Sequence, residues 1–196
     1  MTALQCAATL VIARHGEAEY EANEWTEGGS LTALGRRQSE TLGSSLARDR
    51  VAHVYTSTLA RAVQTAEIAA ARLGVAVTTR SGLREFDPGY LAERPHDLDP
   101  VLATYDRWLA GDLEARVPGG ESAAEMVARL REVMAEISDA HPGETVLVVS
   151  HGGTLRVGVP ALCRMRAEPA ELENTATVEV LADADGWVCT RWGPHS

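Results

Sequence analysis

Short apolar runs and helical stripes alternate along this chain. Ala8–Ala13 (ATLVIA) is a continuous apolar run that stops abruptly at charge, the pattern of a buried strand. Thr32 can cap a helix reaching about Ala47, with a thin apolar stripe of Leu34, Leu42 and Leu46. Ala52–Thr56 reads as a second strand. Leu59–Leu73 reads as an alanine-rich helix ended by Gly74, and Val75–Thr79 as a third strand. Residues 83–120 interrupt the rhythm with Pro and Gly. Inside them, Asp99 as cap, Pro100 in the first helical position and Gly111 as stop punctuate one helix. Its apolar side is Val101, Leu102, Tyr105, Trp108 and Leu109. An interruption this long is uncommon without a function, and it reads as a partial cap. Ser122 and Glu125 then form a capping-box pair ahead of the stripe Met126, Leu130, Val133 and Ile137. Thr145–Val149 (TVLVV) is the clearest strand, and a helix follows from about Gly153. Thr177–Leu181, a turn at Asp183–Gly186 and Trp187–Trp192 form a hairpin.

Strands alternating with helices specify an α/β fold. The expected architecture is a three-layer α/β/α sandwich with a mostly parallel sheet, an antiparallel edge strand and a small helical cap insertion. No repeat or linker divides the chain, so residues 1–196 are expected to form one domain, with the insertion at about 86–120.

Composition narrows the chemistry. All 18 basic residues are arginine, against 28 acidic residues and a net charge of −10. Without lysine there is no Schiff-base amine, no Walker-type phosphate loop and no Ser-Lys dyad. Scattered arginines in an acidic chain argue against nucleic acid or an anionic membrane as partner. Cys6, Cys163 and Cys189 have no C-x-x-C spacing, so thiols in a reducing cytosol are expected. No basic segment followed by an apolar run opens the chain, and no stretch is apolar enough to span a membrane. The expected location is cytoplasmic. Oligomeric state stays open.

The candidate chemistry sits at strand ends. In an open α/β sheet, ligands bind beyond the carboxyl ends of the strands. Arg14, His15, Gly16 and Glu17 follow the first strand. Ser57 and Thr58 follow the second, with Arg61 in the first turn of the next helix. Ser150, His151, Gly152 and Gly153 follow the strongest strand. Glycines let the backbone approach a ligand, helix N-termini favour an anion, and the arginine fork suits phosphate oxygens. One histidine at a strand end is ordinarily a polar residue with a partner. Three strand ends offering the same ligand chemistry point to phosphate with a histidine in reach.

ARHGE at 13–17, YTSTLARAVQTA at 55–66, LREF at 83–86, PGGES at 118–122 and SHGGTLR at 150–156 resemble the histidine phosphatase superfamily, in its phosphoglycerate-mutase-like branch. The five blocks keep the family's order over residues 10–156, roughly three quarters of the chain. The resemblance implies that His15 is the nucleophile that becomes phosphohistidine, that Arg14 and Arg61 bind phosphate, and that His151, with Gly152 beside it, contacts the phosphoryl oxygens. It implies Glu85 as the acid/base. Neutral imidazole is a competent nucleophile at neutral pH. Fixed positive donors stabilise the charge on the equatorial oxygens of a loose phosphoryl transition state. A carboxyl group can protonate the leaving alkoxide and then activate water. Ser57 either supports these groups from behind or caps the helix at Leu59. No metal or other cofactor is expected, because the arginines would repel a cation from His15, His151 and Glu85.

Two departures bear on specificity. Glu21 stands where many relatives carry asparagine, with Asn23 nearby, and Gly89–Ala92 only partly match the block that follows Glu85 in relatives. The resemblance implies a histidine acid phosphatase-type phosphomonoesterase for a small phosphorylated metabolite. The alternatives are a phosphoglycerate mutase, a phosphoprotein phosphatase and an inactive binding module. Mutases in the family are longer, with basic cap residues; here Arg94, Arg107 and Arg116 are the cap's basic candidates. Phosphoprotein phosphatases have little cap, and the intact histidines and arginines disfavour a module without catalysis. Arg156 is either a substrate contact or half of a structural ion pair.

Overall fold

Alternating side chains of one parallel sheet feed two separate cores. The computed structural model describes residues 6–20, 28–90, 99–165, 170–183 and 186–193. Its main sheet is built from β1 (Ala8–Arg14), β4 (Val51–Thr56), β5 (Val77–Thr79), β6 (Thr145–Ser150), β7 (Thr177–Asp183) and β8 (Gly186–Gly193). A ribbon of two residues per strand, β2 (Ala18–Glu19) with β3 (Ser30–Leu31), stands apart. The helices are α1 (Ala33–Ser45), α2 (Ala60–Leu73), α3 (Asp99–Leu109), α4 (Ala123–Ala140) and α5 (Gly152–Leu162). The sheet order is β5-β4-β6-β1-β7-β8. β5, β4, β6 and β1 run parallel, and the terminal hairpin adds β7 and β8 antiparallel at one edge.

On β1, Leu10 and Ile12 face a core built with α4 and α5. Val11 and Ala13 face the opposite core, built with α1 and α2. β6 divides likewise, with Val146 and Val148 on one side and Leu147 and Val149 on the other. A strand buried on both faces has no polar positions, which is why ATLVIA and TVLVV read as unbroken apolar runs. Val101, Trp108, Ala115 and Val117 from the interrupting segment join the α4–α5 core, and Trp108 Nε1 donates to the Ala115 carbonyl at 2.7 Å.

The helix punctuation holds at most ends. Thr32 accepts from the Gly35 N–H, Gly74 takes the left-handed conformation that stops α2, and Ser122 and Glu125 form a complete capping box. α3 begins at Asp99, whose capping side chain lies outside the described residues, as do Glu21, Asn23 and Arg94. Two apolar assignments are corrected. Leu34 is 44% and Leu102 54% exposed. α1 buries Leu42 of the expected stripe, with Leu46 at its C-cap, and adds Gly35, Ser39 and Gly43, so small residues fill out its packing face. No helix among the described residues is long and apolar enough to cross a membrane.

Candidate active site

Because β6 lies between β1 and β4, three chemistry-bearing strand ends are neighbours. Arg14 pairs with Ser150 and Thr56 with Val149 in register. Two further backbone bonds extend the ladder, from His15 N–H to the Ser150 carbonyl and from Ser57 N–H to the Val149 carbonyl, both 3.0 Å. The chain leaves each strand at the same height. The rings of His15 and His151 consequently stand 5.2 Å apart.

His15 is 5% exposed, and its Nδ1 lies 2.7 Å from the Gly16 carbonyl. A carbonyl only accepts, so Nδ1 carries the hydrogen and Nε2 holds the lone pair. The Nε–H of Arg61 points at that lone pair from 3.3 Å. Burial is the main reason the ring's pKa falls from 6.5 to about 3; Arg61 and Arg14 lower it further, and the Gly16 carbonyl works the other way. His15 is therefore a neutral imidazole with one nitrogen fixed and the other held for chemistry.

Arg61 is 3% exposed. It also donates to the Gly28 carbonyl at 3.0 Å and lies under the Tyr20 ring, 5.3 Å from its centroid. Arg14 donates to the Leu172 carbonyl at 2.7 Å, while its Nε has no partner among the described residues. A Cβ at position 152 would come within 3.2 Å of that Nε, so Gly152 is the residue that lets α5 begin against Arg14. His151 is fully buried. Its Nε2 lies 2.8 Å from Ser57 Oγ, and its Nδ1 has no partner among the described residues. Burial, with Arg61 and His15 nearby, holds its pKa well below 6.5. Ser57 also accepts from the N–H of Leu59, the N-cap residue of α2, at 3.2 Å; it supports His151, and no side chain caps the helix itself.

Glu85 reaches the same place from the far side. Its carboxylate accepts from the Gly153 and Thr154 N–H groups at 3.0 and 2.7 Å and from Thr154 Oγ1 at 2.9 Å. It thereby occupies the N-terminus of α5, where the helix dipole favours an anion. Glu85 lines the cleft together with His15, Arg14 and Arg61.

Several neighbours were not singled out in the sequence. Asn174 Nδ2 donates to the His15 carbonyl at 2.9 Å, and Gly16 N–H donates to Thr65 Oγ1 at 3.0 Å. Arg84 and Arg129 line the cleft, and Arg129 grips the backbone that carries Glu85. Glu121 stands inside the PGGES block but reads there as loop. Its partner Arg129 lies on α4 among charged residues that look solvated. Arg107 and Arg116 pair with Asp112 and Glu125 and do not line the cleft, whereas Arg156 does. The cleft measures about 1410 Å³, and beyond the histidines its wall includes Phe86, Leu102, Tyr105 and Leu109. Burial pushes the Tyr105 hydroxyl up to about 12, so it stays a neutral donor on that wall.

Residues 10–194 match the family model for the histidine phosphatase superfamily, branch 1. A phosphoglycerate mutase-like protein 4 of Arabidopsis thaliana is 31% identical over 96% of this chain and 86% of its own length. A probable phosphoglycerate mutase GpmB of Yersinia enterocolitica is 32% identical over 91% of this chain and 89% of its own. Among solved structures, YhfR of Bacillus stearothermophilus superposes with a TM-score of 0.82 at 30% identity, covering 97% of this chain and 98% of that one. A mycobacterial glucosyl-3-phosphoglycerate phosphatase superposes with a TM-score of 0.78 at 25% identity, covering 96% and 99%. With the paired strand-end histidines, the buried arginine beside His15 and a family match over nearly its whole length, this chain belongs to the histidine phosphatase superfamily, branch 1.

Proposed function

We propose that the protein is a metal-independent phosphomonoesterase for small phosphorylated metabolites, working through a phosphohistidine at His15. One observation carries the reading: a buried, neutral His15 whose Nε2 lone pair faces the guanidinium of a buried Arg61. In the first step Nε2 attacks phosphorus and the bond to the ester oxygen breaks. Arg14, Arg61 and His151 stabilise the three equatorial oxygens. Ser57, giving its hydroxyl hydrogen to His151 Nε2, sets the tautomer whose Nδ1–H donates to a phosphoryl oxygen. Glu85, entering this step as the carboxylic acid, gives its proton to the departing alkoxide and is left as the carboxylate. In the second step the same carboxylate takes a proton from water, which attacks the phosphohistidine and releases orthophosphate with His15 restored.

Rapid-quench mass spectrometry with an aryl phosphate tests this. The expected result is an acid-labile phosphate on His15, formed equally well in the presence of chelator. Phosphate on another residue, or activity abolished by chelator, would overturn it. The mutase alternative needs a grip on a substrate carboxylate. Arg107 and Arg116 are engaged on the surface, whereas Arg84 and Arg156 line the cleft. A phosphoglycerate assay decides between them: this reading expects orthophosphate as product, and the mutase reading an isomerised phosphoglycerate.

A further inference from the structure

The carboxylate of Glu85 is held by α5, but its main chain is held by something else. Arg129 on α4 sends Nη1 to two carbonyl oxygens, Gly82 and Arg84, each at 2.9 Å. Its Nη2 reaches the Glu85 carbonyl at 3.3 Å. Nε and Nη2 of the same guanidinium bind Glu121 as a fork, at 3.0 and 2.6 Å. Glu121 Oε1 also accepts the Asp87 N–H at 2.9 Å. Thr154 Oγ1, whose one hydrogen is shared between them, lies 3.0 Å from the Arg84 carbonyl as well as 2.9 Å from the Glu85 carboxylate. The backbone from residue 82 to residue 87 is thus pinned on both sides of Glu85 by one ion pair. That pair is sheltered, with side chains 25% and 15% exposed. No isolated helix-surface bridge needs three backbone carbonyls, and only the planar five-donor fork of arginine can serve them and a carboxylate together.

We infer that the Glu121–Arg129 pair is a positioning device that holds Glu85 at the reacting oxygen. The inference rests on the acid/base role proposed above for Glu85. Arg129 itself transfers no proton: although its side chain borders the cleft, all five of its N–H donors are spent on the three carbonyls and on Glu121. Its effect on the reaction is therefore an effect on where Glu85 stands. Misplacement of a proton donor by about 1 Å costs on the order of a hundredfold in rate. The loss falls on substrates that need the proton and spares those that do not.

The test compares kcat/KM, which reports transfer to His15, for p-nitrophenyl phosphate and for glycerol phosphate. The first has a leaving group that departs unaided, and the second requires protonation. Glu85→Gln, Arg129→Gln, Arg129→Lys and Glu121→Gln are measured beside the parent protein, together with the inhibition constant of orthophosphate. The expected pattern for the Arg129 and Glu121 variants is a ten- to hundredfold loss on glycerol phosphate. Change on p-nitrophenyl phosphate should stay within about threefold, with phosphate inhibition unmoved, and Glu85→Gln should show the same selectivity more strongly. The double variant Glu85→Gln with Arg129→Gln should be no slower on glycerol phosphate than Glu85→Gln alone, because Arg129 then has nothing left to position. Selective loss in Glu85→Gln with parallel or absent loss in every Arg129 and Glu121 variant overturns the positioning role alone. Parallel loss in Glu85→Gln on both substrates overturns the acid/base reading instead. If Arg129→Gln does not fold, Glu121→Gln decides, since its amide oxygen can still accept from Asp87 while the charge of the fork and the acceptor facing Arg129 Nε are lost.

Discussion

Burial keeps the His15 ring neutral down to about 3, against an ordinary value of 6.5. Its neighbour His151 is displaced in the same direction for the same reason. Between those two values an unfolded chain binds protons that the folded one refuses, so stability rises with pH across that window and falls on acidification from 6.5. Urea denaturation at pH 6.5, 5.5 and 4.5 should show a decline of up to about 1.4 kcal/mol per pH unit for each buried ring. His15→Gln should remove its share, and an unchanged slope in that variant would contradict the burial argument. The nucleophile meanwhile stays unprotonated at pH 5, so acid should weaken the fold before it disables His15. At this scale the sequence was informative where backbone spacing alone sets the chemistry. Arg14 ends a strand and His15 and His151 follow strands directly, and a residue at a strand end has a fixed place. Asn174 was not legible, because its contact with the His15 carbonyl joins positions far apart in the chain. Glu85 was found through its motif, but its attachment to the first turn of α5 is a tertiary contact that no local pattern announces.

α1 shows where element-scale reasoning loses its grip. Its N-cap at Thr32 is written in local chemistry and was readable. Its packing face was readable only at Leu42 and Leu46, because the rest of that face is Gly35, Ser39 and Gly43, which carry no hydrophobic signal. Small residues let α1 and α2 approach until the backbone of one touches the other. A Cβ at Gly43 would lie 2.7 Å from the Ala69 carbonyl oxygen and 3.0 Å from its Cα. Neither is the yielding end of a side chain, so Gly43→Ala should destabilise the fold by about 1–3 kcal/mol by overpacking. Ser122→Ala, which removes half of a capping box at the head of α4, should cost about 1 kcal/mol. Chemical denaturation of the two variants checks both, and a neutral Gly43→Ala would mean that the helices have room to part. The β2–β3 ribbon escaped sequence reading for a related reason: two residues per strand are too few to show alternation.

The whole site depends on one topological fact, the entry of β6 between β1 and β4. Alternation of strands and helices predicts a parallel sheet but leaves strand order open. Convergence of the three ends was inferred from shared ligand chemistry and is realised by the register that ties Arg14 to Ser150 and Thr56 to Val149. That arrangement gathers positive donors around one place. Arg14 faces it from a strand end and Arg61 from the first turn of α2, and among the described residues the buried Arg61 has only neutral hydrogen-bond partners, the His15 ring and the Gly28 carbonyl. An oxyanion bound there relieves that repulsion only in the folded state, so it should stabilise the fold by mass action. Orthophosphate or vanadate at a hundred times its dissociation constant adds about 2.7 kcal/mol. For a chain of this length that raises the melting midpoint by about 5–10 °C. His15→Ala keeps both arginines and should retain most of the phosphate effect while losing all turnover. Arg61→Ala should lose most of both. A midpoint that rises equally in Arg61→Ala would place the anion elsewhere on the molecule and remove the basis for phosphoryl transfer at these strand ends.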